Sequence, residues 1–216
     1  YELLTYRWRC SRALVKDPLA LFSVPWLVRE FDMQPVILVR HPAAFVHSVT
    51  RQGWRFDFQQ LLDQPQLMHE RLFAFRDQMM DAAGLNWSAV AEATLLWQVT
   101  HSVIQQYEDA RPGWLFVRHE DLSSYPVAEF RKLYELLDIP FDHHVQAVIG
   151  RYSGGRTNAQ PKNPVNDIQR NSRSLIDNWR HRLPEPDQAY ILQHTLPLAK
   201  RWYREELAAD GYQVEA

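Results

Sequence analysis

Residues 35–49 read PVILVRHPAAFVHSV, a short apolar run that passes directly into a charged residue and then into a helical pattern. The run PVILV is rich in β-branched residues and does not alternate with polar ones, which is typical of a strand covered on both faces. Pro42 favours the start of a helix and Gly53 favours its end. The stretch therefore predicts a buried strand, a turn with Arg40 at the strand end, and a helix that contains Ser48.

Two other apolar runs have the same form. Residues 12–18 (RALVKDP) and 114–122 (WLFVRHEDL) each predict a buried strand that ends in charged residues. Apolar strands that alternate with helices favour an α/β fold with three layers and a parallel sheet. The helical patterns lie at residues 23–32, 42–52, 65–82, 86–110, 126–138, 142–149, 173–182 and 185–209.

Polar residues follow all three predicted strands. In open α/β sheets, ligands bind beyond the carboxyl ends of the strands. We therefore expect a binding site where these side chains converge. They are Lys16 and Asp17, Arg40 and His41, and the run Arg118, His119, Glu120 and Asp121.

Arg40 and Ser48 are the first candidates for that site. A guanidinium presents a fixed fork of donors that suits phosphate, and the start of the following helix adds unpaired backbone N–H groups. Ser48, about two helical turns further along, adds a hydroxyl if its face points the same way. The alternative is that Arg40 pairs with a nearby carboxylate and Ser48 packs within the helix.

Residues 151–182 form a basic segment in a chain whose net charge is −2. The segment has seven Lys or Arg against two Asp, which gives it a net charge of +5. Its first half is rich in Gly, Pro and Asn and predicts a loop. Long cationic loops in compact domains are often functional, so one interpretation is a loop that closes over an anionic ligand. The other is a solvated surface loop.

The remaining polar residues at the sheet edge have competing interpretations. Asp17 is a candidate general base and Lys16 a candidate for stabilising negative charge, although the pair also suits a structural ion pair. Glu120 and Asp121 are expected to position helices or a basic side chain. The nine histidines show no metal-ligand spacing, so we expect no metal site, and His119 is expected to be satisfied by local hydrogen bonds.

Composition narrows the class of protein. A general nucleic-acid binder is usually far more basic than this chain, so no nucleic-acid partner is expected. A single cysteine excludes an internal disulfide framework and favours a reducing, cytoplasmic compartment. No apolar run approaches the roughly 20 residues of a membrane-spanning helix.

Four segments, read together, resemble the sulfotransferases that use 3′-phosphoadenosine 5′-phosphosulfate, with the closest likeness to the bacterial branch. The resemblance covers most of the chain, from about Ala13 to Trp202. The segments are LVKDPLALFSVPWL, PVILVRHPAAFVHSV, FVRHEDLSSYP and RNSRSLIDNWRHRL, in the order of the family. The resemblance implies a P-loop-like, three-layer sheet and the transfer of a sulfuryl group to a hydroxyl or amine, without a metal.

The resemblance also assigns roles. An Arg followed by a Ser eight positions later, after an apolar strand, is the family's 3′-phosphate motif, and here these residues are Arg40 and Ser48. Arg170 and Arg173 resemble the family's late loop, which contacts the same phosphate or the adenosine. The family's catalytic base follows the first conserved strand, which makes Asp17 the candidate here, with Lys16 beside it.

One departure concerns the early Lys- and Gly-containing loop that binds the 5′-phosphosulfate in this family. No Gly precedes Gly53, and the chain has no P-loop signature. We expect that loop and the first strand to lie upstream of Tyr1, in about 30 residues. The chain is then a single sulfotransferase-like domain, 1–216, incomplete at its N-terminus and weakly active alone.

Two other functions stay open. One is a nucleotide-binding module without catalysis, and the other is a P-loop kinase of small molecules. The Arg40 and Ser48 pair argues against the kinase, because ATP has no 3′-phosphate. The acceptor is expected to be a carbohydrate, a lipid headgroup, a peptide tyrosine or another small molecule. The aromatic residues Trp54, Phe56 and Phe58 either line its pocket or simply pack.

Overall fold

The structure is a computed structural model, and it describes residues 12–154 and 172–213. These residues fall into two compact units, one that ends at Met33 and one that begins at Gln34, and each is described by itself. In chain order the elements are α1 (Val24–Phe31), β1 (Val36–Val39), α2 (Pro42–Arg51), α3 (Gln59–Leu62), α4 (Pro65–Leu67), α5 (Arg76–Gly84), α6 (Ala89–Ala110), β2 (Leu115–Arg118), α7 (His119–Ser124), α8 (Pro126–Leu136), α9 (His143–Ser153), α10 (Asn178–Arg182) and α11 (Glu185–Ala209).

The first unit contains α1 and the segment that precedes it. The prediction of a buried strand at residues 12–18 is wrong. Residues 13–17 form no strand, and the side chains of Leu14 and Val15 are 93% and 59% exposed. A strand needs a neighbour for its backbone N–H and C=O groups, and no described strand pairs with this segment. The helix predicted at 23–32 is confirmed as α1, with Pro25 in its first turn.

The second unit contains a parallel pair of strands. β1 and β2 pair in a register that runs from Val36 opposite Leu115 to Val39 opposite Arg118. The predicted parallel pairing within an α/β arrangement is therefore confirmed for these two strands. Because the two strands are parallel, Arg40, which follows β1, and His119, which follows β2, lie at the same edge of the sheet.

β1 is covered on one face only. Ile37 and Val39 are 6% and 1% exposed, whereas Val36 and Leu38 are 40% and 49% exposed. Side chains alternate between the faces of a strand, and α6, which packs against β1, can cover only one of them. The prediction that β1 is buried on both faces is thus wrong for the described residues.

Helices α2, α6, α10 and α11 form a core beside the sheet. The small residues of α2 let the neighbouring helices approach closely, as in well-packed interiors. The buried members of this cluster are Ala43, Ala44, Val46, Ala93, Trp179, Leu183 and Ile191. None of the described helices has both the length and the apolar character that crossing a membrane requires.

The long helices follow the sequence patterns closely. α6 begins after Ser88, whose hydroxyl accepts a hydrogen bond from the N–H of Ala91 at 3.1 Å, a common N-cap. α11 covers the whole pattern at 185–209. The pattern at 65–82 is instead divided into short pieces, because a π-helical turn at Met68–Leu72 and a 3-10 turn at Phe73–Phe75 interrupt it.

Candidate functional site

Arg40 lies immediately after β1, at the carboxyl edge of the sheet. Its carbonyl oxygen accepts a hydrogen bond from the indole N–H of Trp97 at 2.9 Å, which anchors the strand end to α6. Its Nε is buried and has no hydrogen-bond partner in the described part of the chain. Burial lowers the pKa of the Arg40 guanidinium, the charge of Glu120 opposes that shift, and Arg51 adds to it.

Arg118, at the end of β2, differs from Arg40 in its ion pairs, although its Nε also lacks a hydrogen-bond partner among the described residues. Its guanidinium forms an ion pair with Glu206, lies 3.8 Å from Asp121, and stacks 4.6 Å from the centre of the Tyr203 ring. Arg40 has no ion pair with any residue of the described ranges, 12–154 and 172–213. The alternative in which Arg40 is neutralised by a paired carboxylate is therefore wrong for those residues.

Glu120 connects three parts of the fold at this edge. Its buried carboxylate accepts the backbone N–H of His41 at 3.0 Å through Oε1, and the hydroxyl of Tyr203 at 2.8 Å through Oε2. Burial, together with the charge of Glu120, raises the pKa of Tyr203, so its hydroxyl stays a donor. The expectation that Glu120 positions neighbouring elements is confirmed by these two hydrogen bonds.

His41 is enclosed by aromatic rings. Its imidazole stacks on Trp179 at 4.9 Å between ring centres and meets the edge of Tyr203 at 5.0 Å. Neither ring nitrogen has a hydrogen-bond partner within the described residues. Burial lowers the pKa of His41 to about 4, against the opposing charge of Glu120. His41 is therefore a neutral packing residue that fixes the start of α2.

Ser48 lies in α2 three positions before Arg51, and residues three positions apart are neighbours on a helix face. Its hydroxyl makes no hydrogen bond to any described residue. In the same helix, Thr50 donates its hydroxyl to the carbonyl of Val46 at 2.8 Å. The Ser48 hydroxyl thus remains available to an external acceptor.

Unneutralised positive charge surrounds this face of α2. Burial lowers the pKa of His47, and the charges of Arg51, Arg182 and Arg40 lower it further. Arg51 and Arg182 form no ion pair among the described residues. A site with this field, and with free donors on Arg40 and Ser48, is suited to a phosphate or sulfate group.

His119 lies at the same edge, after β2. Burial lowers its pKa, and the charge of Arg40 lowers it further, while Glu120 opposes the shift. The expectation that local hydrogen bonds satisfy His119 is wrong for the described residues, since its ring has no such bond there. β2 ends at Arg118, and His119 is the first residue of α7.

The other candidate residues lie in different places. Arg173 is exposed in a 3-10 turn, with its guanidinium 6.0 Å from the centre of the Tyr125 ring. Arg170 lies outside the described residues, as does most of the predicted basic loop. Lys16 and Asp17 are exposed in the non-strand segment of the first unit.

The described residues contain no group of three or more His, Cys, Asp or Glu arranged to hold a metal ion. Phe58 is 1% exposed and belongs to the core, whereas Trp54 is 60% exposed. Packing is thus the outcome for Phe58, and the interpretation in which Trp54 lines an acceptor pocket stays a prediction. Phe58 packs, and Trp54 faces solvent.

Sequence reasoning missed Arg51 and Tyr203 as parts of this site, and it included Arg182 only as a member of the basic segment 151–182. Arg51 had a local signal, since it follows Ser48 by three positions on one helix face. Tyr203 had none, and nothing in the basic segment distinguished Arg182 from its neighbours, because α10 and α11 are brought to α2 and Glu120 by tertiary packing.

Comparison with known proteins gives two sequence relatives. The chain is 24% identical over 218 residues to human carbohydrate sulfotransferase 5, covering 83% of this chain and 53% of that protein. It is 36% identical over 81 residues to carbohydrate sulfotransferase 1 of Rattus norvegicus, covering 34% of this chain and 18% of that protein. The match thus spans about half the length of the human relative and less than a fifth of the length of the rat relative. No protein-family model matches it.

A solved structure, the sulfotransferase domain from the curacin biosynthetic pathway, has a similar fold. The TM-score is 0.52 at 18% sequence identity, and the match covers 88% of this chain and 63% of that domain. At this identity the likeness concerns the fold.

Proposed function

We propose that this chain, a member of a sulfotransferase family, belongs to an enzyme that transfers a sulfuryl group from 3′-phosphoadenosine 5′-phosphosulfate to a hydroxyl or amine. The family resemblance seen in the sequence is confirmed by the two carbohydrate sulfotransferases and by the sulfotransferase domain of similar fold. The likeness to the bacterial branch stays a prediction.

The observation that carries the proposal is the state of Arg40. Its guanidinium is largely buried at the carboxyl edge of a parallel sheet, yet it has no ion pair or side-chain hydrogen bond among the described residues, and its Nε is enclosed. A buried charge without a partner is costly. An anionic ligand at this edge relieves that cost, which is the physical reason to place one there.

We assign the 3′-phosphate of the nucleotide to Arg40 and Ser48. Arg40 supplies charged donors and Ser48 a hydroxyl, while Arg51 and Arg182 strengthen the positive field. The nucleotide, when bound, supplies an activated sulfuryl group. Arg170 and Arg173 are proposed as further contacts to the nucleotide, Asp17 as the group that takes the acceptor proton, and Lys16 as a stabiliser of negative charge.

We also infer that β1 and β2 belong to a larger, three-layer, P-loop-like sheet. The support is the exposed apolar face of β1, where Val36 and Leu38 are 40% and 49% exposed. Apolar side chains of this kind are usually covered in parallel sheets.

The proposed acceptor class is a carbohydrate. The names of both sequence relatives support it, since both are carbohydrate sulfotransferases. A kinase or a non-catalytic nucleotide-binding module gains no support from these relatives, and ATP lacks the 3′-phosphate for which the Arg40 site is suited.

Calorimetric titration of the chain with adenosine 3′,5′-bisphosphate and with 5′-AMP tests the proposal. The bisphosphate is expected to bind at least tenfold more tightly, and Arg40→Ala to abolish that preference, since a lost charge-assisted phosphate contact costs about 2 kcal/mol or more. Arg76→Ala is the matched control, because Arg76 lies in α5 and is exposed. Equal affinity for the two nucleotides, or a preference that survives Arg40→Ala, contradicts the proposal.

A further inference from the structure

Arg40 and Glu120 carry opposite charges at the same edge of the sheet without forming an ion pair. Oε1 of Glu120 lies 3.0 Å from the backbone nitrogen of His41, the residue that follows Arg40, and burial lowers the pKa of Arg40 while the charge of Glu120 opposes that shift. Both side chains are largely buried, and Glu120 is 8% exposed. In such surroundings opposite charges attract strongly, so the absence of a pair between these two described residues needs a physical cause.

The Glu120 carboxylate is instead engaged by two other groups. Oε1 is engaged by the backbone N–H of His41 at 3.0 Å, and Oε2 by the hydroxyl of Tyr203 at 2.8 Å. Each is a charge-assisted hydrogen bond, stronger than a bond between neutral groups. Together they fix both oxygens, and with them the orientation of the carboxylate.

Tyr203 is itself held firmly. It is 1% exposed, the edge of its ring contacts His41, and the Arg118 guanidinium lies over its ring. Its backbone departs from helical geometry within α11, at φ −128° and ψ 26°. Two helical segments meet there at a kink, and the hydrogen bond to Glu120 holds the Tyr203 side chain at that point.

We propose that Tyr203 is a positioning residue that keeps Arg40 available for an anionic nucleotide, because its hydroxyl restrains the Glu120 carboxylate from pairing with the guanidinium. The proposal rests on the function proposed above. An Arg40–Glu120 ion pair would occupy the donors that a 3′-phosphate needs, and the nucleotide would have to break that pair in order to bind. Tyr203 therefore acts on affinity through Glu120, without contact to the ligand.

A double-variant experiment tests this relation. Wild type, Tyr203→Phe and the double variant Tyr203→Phe/Glu120→Gln are titrated with adenosine 3′,5′-bisphosphate and with 5′-AMP. Tyr203→Phe is expected to weaken bisphosphate binding about tenfold, the scale of one hydrogen bond to a charged group, and to leave 5′-AMP binding unchanged. The double variant is expected to recover the wild-type affinity within about threefold, because glutamine cannot pair ionically with Arg40.

The rescue separates positioning from mere structural support, since a second substitution in a damaged core does not restore binding. Tyr107→Phe is the matched control, because Tyr107 is equally buried, at 1% exposure, in α6. Thermal unfolding checks that each variant is folded at the temperature of titration. The inference is overturned if Tyr203→Phe binds the bisphosphate as wild type does, or if the double variant binds as weakly as Tyr203→Phe.

Crystal structures of wild type and Tyr203→Phe test the same step without a ligand. An Arg40–Glu120 ion pair is expected in the variant only, and its absence there overturns the inference. Equal affinity of wild type for the two nucleotides instead overturns the proposed function. In that case the position of the Glu120 carboxylate in the two crystal structures still decides whether Tyr203 keeps it away from Arg40.

Discussion

The indole N–H of Trp97 donates a hydrogen bond of 2.9 Å to the carbonyl oxygen of Arg40. Trp97 is fully buried in α6, and its ring stacks on His101 with 4.0 Å between ring centres. The backbone of Arg40 is thus fixed by a helix that is 57 residues away in sequence. The fixed backbone limits the positions that the Arg40 guanidinium can reach.

Replacing Trp97 with phenylalanine is expected to lower the free energy of unfolding by about 2–4 kcal/mol, because it leaves the Arg40 carbonyl unpaired and opens a cavity. Urea unfolding measures the change. Trp54→Phe is the control, since Trp54 is 60% exposed and such changes usually stay within about 0.5 kcal/mol. Equal losses in the two variants would contradict the assigned role of Trp97.

Stability is expected to fall as the pH falls from 6.5 to about 4. Burial lowers the pKa of His41 to about 4 in the folded chain, from an ordinary value of 6.5. Between these values the unfolded chain binds a proton that the folded chain does not, so acid favours unfolding and the effect levels off below about 4. His101, whose pKa burial lowers to about 3, acts in the same direction.

His41→Phe should flatten part of this pH dependence, because the aromatic contacts with Trp179 and Tyr203 stay while the titrating ring is removed. The measurement is the free energy of unfolding at several pH values between 4 and 7.5. His143→Phe, at an exposed position of α9, tests whether the loss of any histidine has the same effect. An unchanged slope in His41→Phe would show that His41 does not titrate in this window.

Glu92 is expected to hold the segment between α2 and α3 against α6. Its carboxylate accepts the backbone N–H of Phe56 at 2.6 Å and Nε of Arg55 at 2.7 Å. Glu92→Ala should cost about 1–3 kcal/mol and speed hydrogen exchange of the Phe56 amide. Glu135→Ala, at an exposed position of α8, should leave both unchanged. A protected Phe56 amide in Glu92→Ala would refute the anchoring role.

Local patterns predicted the elements around Arg40. Pro42 starts α2 as expected, and Gly53, with a φ of 66°, follows its end in a conformation that glycine adopts freely. The charge at the end of an apolar strand indicated an anion site, and the structure leaves that charge without an ion pair in the described ranges. These features depend on residues close together in sequence.

The features that sequence reasoning missed depend on residues far apart. The bond from Tyr203 to Glu120 spans 83 positions, and no periodicity indicates such a contact. Burial of β1 on one face, and the lack of a strand at residues 12–18, likewise depend on which neighbours pack against these segments. An apolar run is compatible with one covered face or two, so its composition cannot decide between them.

Asp17→Asn is expected to slow sulfuryl transfer and to leave nucleotide affinity unchanged, if Asp17 takes the acceptor proton as proposed. General bases contribute about 10²–10⁴-fold to rate. The measurement pairs a single-turnover rate on a carbohydrate acceptor with calorimetry of adenosine 3′,5′-bisphosphate. Asp63→Asn is the control for loss of an exposed carboxylate. A transfer rate equal to that of wild type would show that Asp17 is not the general base.

Arg182 should contribute to the affinity for the 3′-phosphate through its field. It is exposed, has no ion pair among the described residues, and acts on His47 together with Arg51 and Arg40. Because salt screens exposed charges, Arg182→Gln is expected to weaken bisphosphate binding about two- to fivefold at low salt and hardly at all near 0.5 M.

The control for this change is Arg131→Gln, since Arg131 lies in α8 and bonds to Gln146. Calorimetry at two salt concentrations measures both variants against wild type. A loss for Arg182→Gln that persists at high salt would indicate direct contact with the phosphate. No loss at low salt would remove Arg182 from the site, and Arg40 with Ser48 would remain its principal donors.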